Sequence, residues 1–456
     1  MNRLLLLAGT ALALVSQPAF AEDAAAAEAA PATVPAIDAA AAPDLAAKSD
    51  DKTIVVTGRR RRDDVLGDVS VLGGAALAED VRPTLGETLA KQPGVSTSGS
   101  GPNVARPVLR GLAGDRIRIL TDGIGSLDVS SSSSDHAVAI NPLTAQSIEI
   151  LHGPAALVFG SSAIGGVVNV IDARIPRAVP DGVGLTALAG FGSAANERLL
   201  SGQVNVALGS KLVAHADAGW TKNDDLRTGG YILARPLREQ AAASPDADIR
   251  ALATLKGDLP NSDGRTFEAA GALAYVDGGL NIGASVTRHT AYYGVPIRFS
   301  LDPSIEAEAT HIDVHQTRYD ARAEVPVEGF LKTVRLRGGY SDYNHAEIAA
   351  DGAVGSMIFS KGGEGRIDLD QRDQQAATGR MQWGGSSGLQ ALDIKQHIAG
   401  DEQFLPPTEQ KTLGLFTVQH VEVGALRLEG GARFERNALF ADASPVGGNP
   451  DLTPRF

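Results

Sequence analysis

From about residue 182 onward, apolar and polar side chains alternate, and this pattern limits the fold more than any other feature of the chain. In the stretch LSGQVNVAL, Leu200, Val204 and Val206 fall on one face, whereas Ser201 and Gln203 fall on the other. The stretch ALRLEGGARFER repeats the alternation with charged residues opposite leucines. A period of two predicts β-strands, and a charged face opposite an apolar face is typical of a barrel with a wet lumen and a lipid-facing exterior. A soluble β-sandwich, whose strands also alternate, is the alternative.

The first 21 residues indicate where such a barrel would lie. MNRLLLLAGTALALVSQPAFA has a basic head at Arg3, an apolar run from Leu4 to Val15, and an A-x-A cleavage site ending at Ala21. Residues 1–21 therefore have the pattern of a cleaved signal peptide, since the run is shorter than the roughly 20 residues of a membrane-spanning helix. Export to the bacterial envelope, together with strands of about ten residues, favours an outer-membrane barrel over a soluble sandwich.

The segment after the signal peptide is of low complexity and ends in a strand-prone run. Residues 22–52 are rich in alanine and proline and lack periodic large apolar residues, so we expect a disordered periplasmic tether. The run TIVVTG, residues 53–58, precedes four arginines. Two interpretations stand: the run is the first strand of the next domain, or it is an exposed strand that another protein captures through backbone hydrogen bonds.

Residues 63–175 carry the mixed helix and strand signals of a compact α/β unit. Thr84 and Glu87 have capping-box spacing at the start of a short helix, and Asp122-Gly123 marks a hairpin turn. SIEILHGPAALVFGSSAIGGVVNVID predicts a strand, a short helix, a glycine turn and a second strand.

The number of predicted strands is small for a barrel that contains this unit. We count about ten or eleven between residues 183 and 440, which would close to a cylinder only about 22 Å across. A compact unit of this size has a diameter near 34 Å, roughly. A 22-stranded barrel would hold it, so we expect the sequence to stop near the middle of a barrel.

Together these features resemble the TonB-dependent outer-membrane receptors along the whole chain. The motifs that carry the resemblance are TIVVTG, LGETLAKQPGV, RPVLRGLAGDRIRILTDGI and IEILHGPAALVFGSSAIGGVVNVID. The resemblance implies an α/β plug domain at 63–175 inside a transmembrane antiparallel β-barrel, of which 183–456 form part. It also implies that residues 53–58 are a TonB box, and that the partners are outer-membrane lipid and TonB with its inner-membrane energising complex. The residues of this box that would bind TonB are Thr53, Ile54, Val55, Val56 and Thr57.

Within this family, the stretch DGIGSLDVSSSSSDHAVAINPL resembles the zinc-uptake, ZnuD-like branch. There a serine-rich plug loop ends in an Asp-His pair that binds zinc, which by position is Asp135-His136 here. Because the chain has no cysteine, histidine and carboxylate must supply the zinc ligands. The alternative is a solvated polar loop, which the residues alone favour. We expect the serines 130–134 to form a flexible bend that lets the pair converge.

Further candidate ligands lie in the barrel part, where this branch has a long histidine- and aspartate-rich insertion. Here SIEAEATHIDVHQTRYD offers a shorter cluster, and Glu364 is a separate carboxylate predicted near a loop. His311, Asp313 and His315 would share one face of a strand, about 6.6 Å apart at each step, as a capture patch or as ordinary lumen lining. The complete set of barrel candidates is Glu306, Glu308, His311, Asp313, His315 and Glu364.

The sequence thus predicts TonB-dependent uptake of zinc, or a similar divalent metal, across the outer membrane. The alternative is a siderophore-iron or haem receptor of the same fold, which would take a metal chelate. An enzyme is not expected, because the P-loop and HExxH motifs are absent, and no cofactor is required besides the transported metal. Nucleic-acid binding is not expected either, since acidic residues outnumber basic ones by 54 to 41.

Overall fold

The structure is a computed structural model, and it describes residues 69–296, 301–303, 309–376, 379, 381–400 and 406–441. The predicted signal peptide, tether and TonB box lie outside the described residues, as do Glu306 and Glu308. No helix in the described ranges has the length and apolar character that a membrane-spanning helix requires.

The first folded unit is a five-stranded sheet with strand order β1-β6-β7-β4-β5, flanked by short helices. Its strands are β1 (Val69–Gly73), β2 (Val95–Ser98), β3 (Arg106–Leu109), β4 (Ile117–Thr121), β5 (Ile124–Gly125), β6 (Ala145–Leu151) and β7 (Gly166–Asp172), of which β2 and β3 form a separate pair. Its helices are α1 (Gly74–Asp80) and α2 (Leu85–Leu89), with 3-10 turns at Pro102–Val104, Gly114–Arg116, Pro142–Thr144 and Gly153–Phe159.

This unit folds around the fully buried strand β7, whose sequence GVVNVID has no exposed residue. A run this rich in valine and isoleucine suits a strand covered on both faces, and its polar Asn169 donates a hydrogen bond to Glu149. The hairpin between β4 and β5 turns at Asp122 and Gly123, both with positive φ (49° and 85°), as an Asp-Gly hairpin requires. Leu85 and Leu89 of α2 are buried in the same core.

The second unit is one large antiparallel sheet in which eleven strands follow each other in the order β21-β20-β19-β17-β16-β15-β14-β13-β10-β9-β8. The strands are β8 (Val183–Gly192), β9 (Glu197–Ala207), β10 (Leu212–Asn223), β13 (Gly264–Asp277), β14 (Leu280–Val295), β15 (Thr310–Pro326), β16 (Leu331–Ile348), β17 (Val354–Gln371), β19 (Met381–Gly400), β20 (Thr408–Val423) and β21 (Leu426–Ala441), and the short β18 (Gln374–Gln375) pairs with β19. Within the described residues β8 and β21 are the two edges, so the sheet is open.

Burial alternates along these strands as the sequence predicts. On β10, Val213, His215 and Asp217 are buried against the first unit, whereas Trp220 on the opposite face is 37% exposed. On β21, Phe434 is 70% exposed. The apolar side chains therefore cover the outer face of the sheet and the polar ones line its concave face, where the first unit lies.

The connections differ at the two ends of the sheet. One end has tight turns, such as Gly278-Gly279 between β13 and β14, and the other has the long connections 224–263 and 296–309. We call these the tight-turn end and the long-connection end. The connection 224–263, expected as a polar loop, contains its own small fold with β11 (Leu226–Tyr231), α3 (Arg235–Ala242), α4 (Ala247–Leu252) and β12 (Lys256–Leu259).

Buried charges join the first unit to the sheet. Arg174, just after β7, pairs with Asp217 of β10 at 3.2 Å and also with Glu268 of β13. Arg318 of β15 donates to the carbonyl oxygen of Gly125 at 2.7 Å. These bonds fix how the β4–β5 hairpin and the following loop meet the concave face of the sheet.

Candidate metal centre

The serine-rich loop after β5 is organised around Asp128. One oxygen of its carboxylate accepts hydrogen bonds from the Ser130 backbone N–H (3.1 Å) and hydroxyl (2.7 Å), and the other accepts from the Ala139 N–H at 2.9 Å. Aspartate commonly bonds to backbone groups nearby in this way, and so stabilises a turn. Asp128 therefore ties together the beginning and the end of the loop that contains Asp135 and His136.

Arg106 of β3 holds the same loop from the plug side. Its guanidinium donates to the carbonyl oxygens of Ser130 and of Ser133, the latter at 2.7 Å. Burial lowers the pKa of the Arg106 guanidinium, and the carboxylates of Asp135 and Asp128 oppose that shift. The serines 130–134 are thus held by several hydrogen bonds, in place of the flexible bend that the sequence suggested.

This loop brings His136 to two residues of the barrel sheet, His345 and Glu347 on β16. The His136 Nε2 lies 3.3 Å from the Glu347 Oε1, and the His345 Nε2 lies 3.7 Å from the same oxygen. One ligand atom from each of the three residues falls within 4.8 Å of the other two. The side chains of His136 and His345 are 3% and 0% exposed, whereas that of Glu347 is 24% exposed.

Each of the three side chains is oriented by a partner on its far side. The Nδ1 of His136 lies 3.1 Å from the Ser132 Oγ and 3.3 Å from the Val129 carbonyl oxygen. A protonated Nδ1 donates to that carbonyl, which leaves Nε2 as a lone-pair donor. The Nδ1 of His345 lies 3.0 Å from the Tyr343 hydroxyl, and the Ser356 hydroxyl donates to Glu347 Oε2 at 2.9 Å.

The Nε2 of His345 is buried and has no hydrogen-bond partner among the described residues. A buried polar atom without a partner is costly, and this one faces a carboxylate and a second imidazole. In a tetrahedral zinc site the ligand atoms stand about 2.0–2.2 Å from the metal and so roughly 3.3 Å from each other. Two of the three separations, 3.3 and 3.7 Å, are near that spacing and the third is within 4.8 Å, so the three atoms are close enough to hold one divalent ion together with water or a further ligand.

Asp135, the other half of the predicted pair, is not in this three-residue group. Its carboxylate accepts a hydrogen bond from Ser133, and its carbonyl oxygen accepts one from the Tyr293 hydroxyl at 3.1 Å. The structure thus places His136 among candidate ligands, whereas the Asp135 carboxylate bonds within its own loop.

His311, Asp313 and His315 do not approach His136, because they project from the opposite face of β15. Their buried neighbours Gln316 and Arg318 contact the plug, with Gln316 donating to the Ser126 carbonyl oxygen at 3.2 Å. Successive side chains alternate between faces, so the three residues share the outer face. There His311 pairs with Asp263 at 3.3 Å, and His315 pairs with Asp313 at 3.4 Å. The structure therefore does not bring these three candidate ligands to Asp135-His136, and they do not line the lumen.

Glu364 lies in the middle of β17, away from the loops, and it is 3% exposed. Its Oε2 accepts from Arg118 and from the Gly125 N–H, each at 3.0 Å. These contacts make Glu364 a barrel acceptor for the plug hairpin.

The sequence analysis did not identify His345 and Glu347. Both lie in SDYNHAEIAAD, just before a short turn, and their spacing of two residues places them on one strand face. That spacing at a strand end was the available signal, but only the register of β16 against the plug shows that the face is the concave one.

Comparisons with known proteins show what the chain is similar to. Residues 61–167 match the TonB-dependent Receptor Plug Domain. Over 175 residues the chain is 31% identical to the vitamin B12 transporter BtuB of Vibrio cholerae, which covers 35% of this chain and 28% of the relative.

Solved structures with the same fold cover most of this chain. The FrpB iron transporter from Neisseria meningitidis has a TM-score of 0.60 at 13% identity and covers 82% of this chain and 60% of its own. The alcaligin outer membrane receptor FauA from Bordetella pertussis has a TM-score of 0.58 at 14% identity, covering 84% and 57%. The copper transporter OprC has a TM-score of 0.57 at 15% identity, covering 82% and 55%. The chain thus spans less than two thirds of the length of each of these proteins.

These findings confirm the predicted fold, a plug domain with an antiparallel barrel sheet. They also support the expected outer-membrane location, and the matching proteins are, by their names, transporters and a receptor. According to their names, these relatives are concerned with vitamin B12, iron, alcaligin or copper. The predicted preference for zinc therefore has to be argued from the candidate metal centre.

Proposed function

We propose a substrate for this TonB-dependent receptor: a divalent metal ion, zinc foremost, which binds at the long-connection end and is carried across the outer membrane. The observation that carries the proposal is the meeting of His136 with His345 and Glu347, whose ligand atoms lie within 4.8 Å of one another. Two imidazoles and one carboxylate are a ligand set that suits zinc, and also copper.

The close packing around the three residues favours a bare ion over a chelate. An apolar cluster that joins plug and barrel lies at this end and includes Val129 and Ala139 of the plug with Ile312, Val314 and Ile358 of the barrel. A cavity of about 550 Å³ lies elsewhere, between residues 154–159 of the plug and the tight-turn end. A siderophore or haem would have to displace this packing to reach the histidines.

The division of the ligands between two bodies suggests how a bound ion would be released. His136 belongs to the plug, whereas His345 and Glu347 belong to the barrel. A movement of the plug loop by a few ångströms would separate the imidazole of His136 from the other two ligands and weaken the site. We propose that TonB, engaging residues 53–57, supplies this movement with energy from the inner membrane, and that no cofactor is needed besides the transported ion.

The proposal is tested in a bacterium that depends on this receptor for growth on scarce zinc. We expect His136→Ala and His345→Ala each to reduce zinc-limited growth and uptake of zinc by at least 10-fold, roughly, because each removes one of three ligands. His397→Ala is the matched control, because His397 is an exposed histidine that stacks on Phe359. All variants should reach the outer membrane in normal amounts.

Two results would decide against zinc. Normal zinc uptake with defective iron supply in the histidine variants would support the siderophore or haem alternative. Normal zinc uptake with defective copper uptake would support copper as the transported ion.

A further inference from the structure

The peptide backbone on both sides of His136 is held by one barrel side chain, Tyr293 of β14. Its hydroxyl donates to the Asp135 carbonyl oxygen at 3.1 Å and accepts from the Ala137 N–H at 2.9 Å. The residue between these two bonds is His136. Tyr293 is 2% exposed and packs in the apolar cluster that joins plug and barrel.

These two hydrogen bonds satisfy backbone groups of a loop, which has no helix or sheet ladder to pair them. Buried backbone groups almost always have a partner, and the structure gives the Asp135 carbonyl and the Ala137 N–H this one from the barrel. Tyr293 lies on β14, and its two bonds set where His136 stands relative to the ligands on β16. β14 is two strands from β16, because β14 pairs with β15 and β15 pairs with β16.

We infer that Tyr293 is a positioning residue that holds the plug loop in the metal-binding arrangement. The inference rests on the proposed function, because it assigns to Tyr293 a role in the affinity of that site. The hydroxyl does not enter the three-residue ligand group, so its effect is exerted through the backbone of residues 135–137. Without the Tyr293 hydroxyl, the loop would adopt further positions in which His136 no longer faces Glu347. Binding the metal would then require the loop to return to the one competent position, which lowers affinity.

The test is Tyr293→Phe in the purified full-length receptor, which removes the hydroxyl and keeps the ring. We expect zinc affinity, measured by competition with a chelating dye, to fall roughly 10-fold to 100-fold, as on loss of other groups that orient metal ligands. The absorption spectrum of Co²⁺ bound in place of zinc should keep its shape, because the ligands themselves are unchanged. The control is Tyr292→Phe, which removes a hydroxyl from the outer face, where Tyr292 stacks on His311.

A second measurement, made without metal, separates this inference from the proposed function. The chain has no cysteine, so a spin label at Ser134→Cys, an exposed position of the loop, reports loop motion alone. We expect the label to be more mobile with Tyr293→Phe and unchanged with Tyr292→Phe. Equal mobility, or a mobile loop with unchanged zinc affinity, would overturn the role of Tyr293. Failure of the wild type to bind zinc would overturn the proposed function, and the label would still decide whether Tyr293 holds the loop.

Discussion

Glu149 on β6 is a fully buried carboxyl inside the plug. Its Oε2 accepts a hydrogen bond from the Asn169 amide at 2.9 Å, while Oε1 has no hydrogen-bond partner among the described residues. Burial is the main cause that raises the pKa of Glu149, to about 7 from an ordinary value of 4.5, and the Asn169 bond only partly opposes it. The plug therefore holds a carboxyl that prefers to be protonated near neutral pH.

This raised pKa predicts how plug stability depends on pH. A carboxyl with a raised folded-state pKa stabilises the fold at low pH, and that contribution is lost as pH rises from about 4.5 through about 7. Glu149→Gln keeps the acceptor for Asn169 and cannot ionise. We expect its free energy of unfolding to exceed that of the wild type by up to about 3 kcal/mol at pH 8 and to match it near pH 4. Thermal unfolding in detergent at both pH values measures this, and an equal difference at both would contradict it.

The resemblance to the zinc-uptake branch singled out one of the three proposed ligands, His136. The residues alone favoured a solvated loop, and the Asp-His pattern gave no reason to separate His136 from Asp135. The candidates His311, Asp313 and His315 were selected for composition, and only the register of β15 shows that they face outward. The sequence shows which residues share a strand face. It does not show which face points to the plug when both faces carry polar residues.

At the scale of elements, Arg174 links the end of β7 to two barrel strands. Besides Asp217 and Glu268, it contacts Asp172 at 3.4 Å and the Thr144 hydroxyl at 3.2 Å. The elements themselves were predictable because their patterns are local: strands of the barrel alternate, and GVVNVID is rich in β-branched residues. The small fold in 224–263 was not predicted, since its helices have six and eight residues and depend on contacts within the connection.

Loss of Arg174 should therefore loosen the plug within the barrel. Arg174→Ala leaves Asp217 and Glu268 buried without this charge partner, and removal of one member of a buried ion pair typically costs roughly 3–5 kcal/mol. We expect a lower unfolding temperature and faster cleavage of the plug by added protease. Arg235→Ala is the control, because its pair with Glu239 is exposed (82% and 65%) and should contribute within about 1 kcal/mol. Equal behaviour of the two variants would show that Arg174 does not anchor the plug.

At the scale of the whole molecule, the proposed site joins two residues that are 211 positions apart in sequence, His136 and Glu347. No local pattern encodes such a contact. It arises because the plug loop lies against the long-connection end of the sheet and because β14, β15 and β16 stand in a fixed register there. The proposed metal centre therefore depends on the plug and the barrel sheet together.

The most direct test of this claim is to locate the ion. Crystals of the receptor grown with zinc would be measured on both sides of the zinc absorption edge. We predict one strong anomalous peak about 2.0–2.2 Å from the Nε2 atoms of His136 and His345 and from a carboxylate oxygen of Glu347. A fully occupied zinc peak at another place, such as His311 or His315 on the outer face, with none between His136 and His345, would contradict the account.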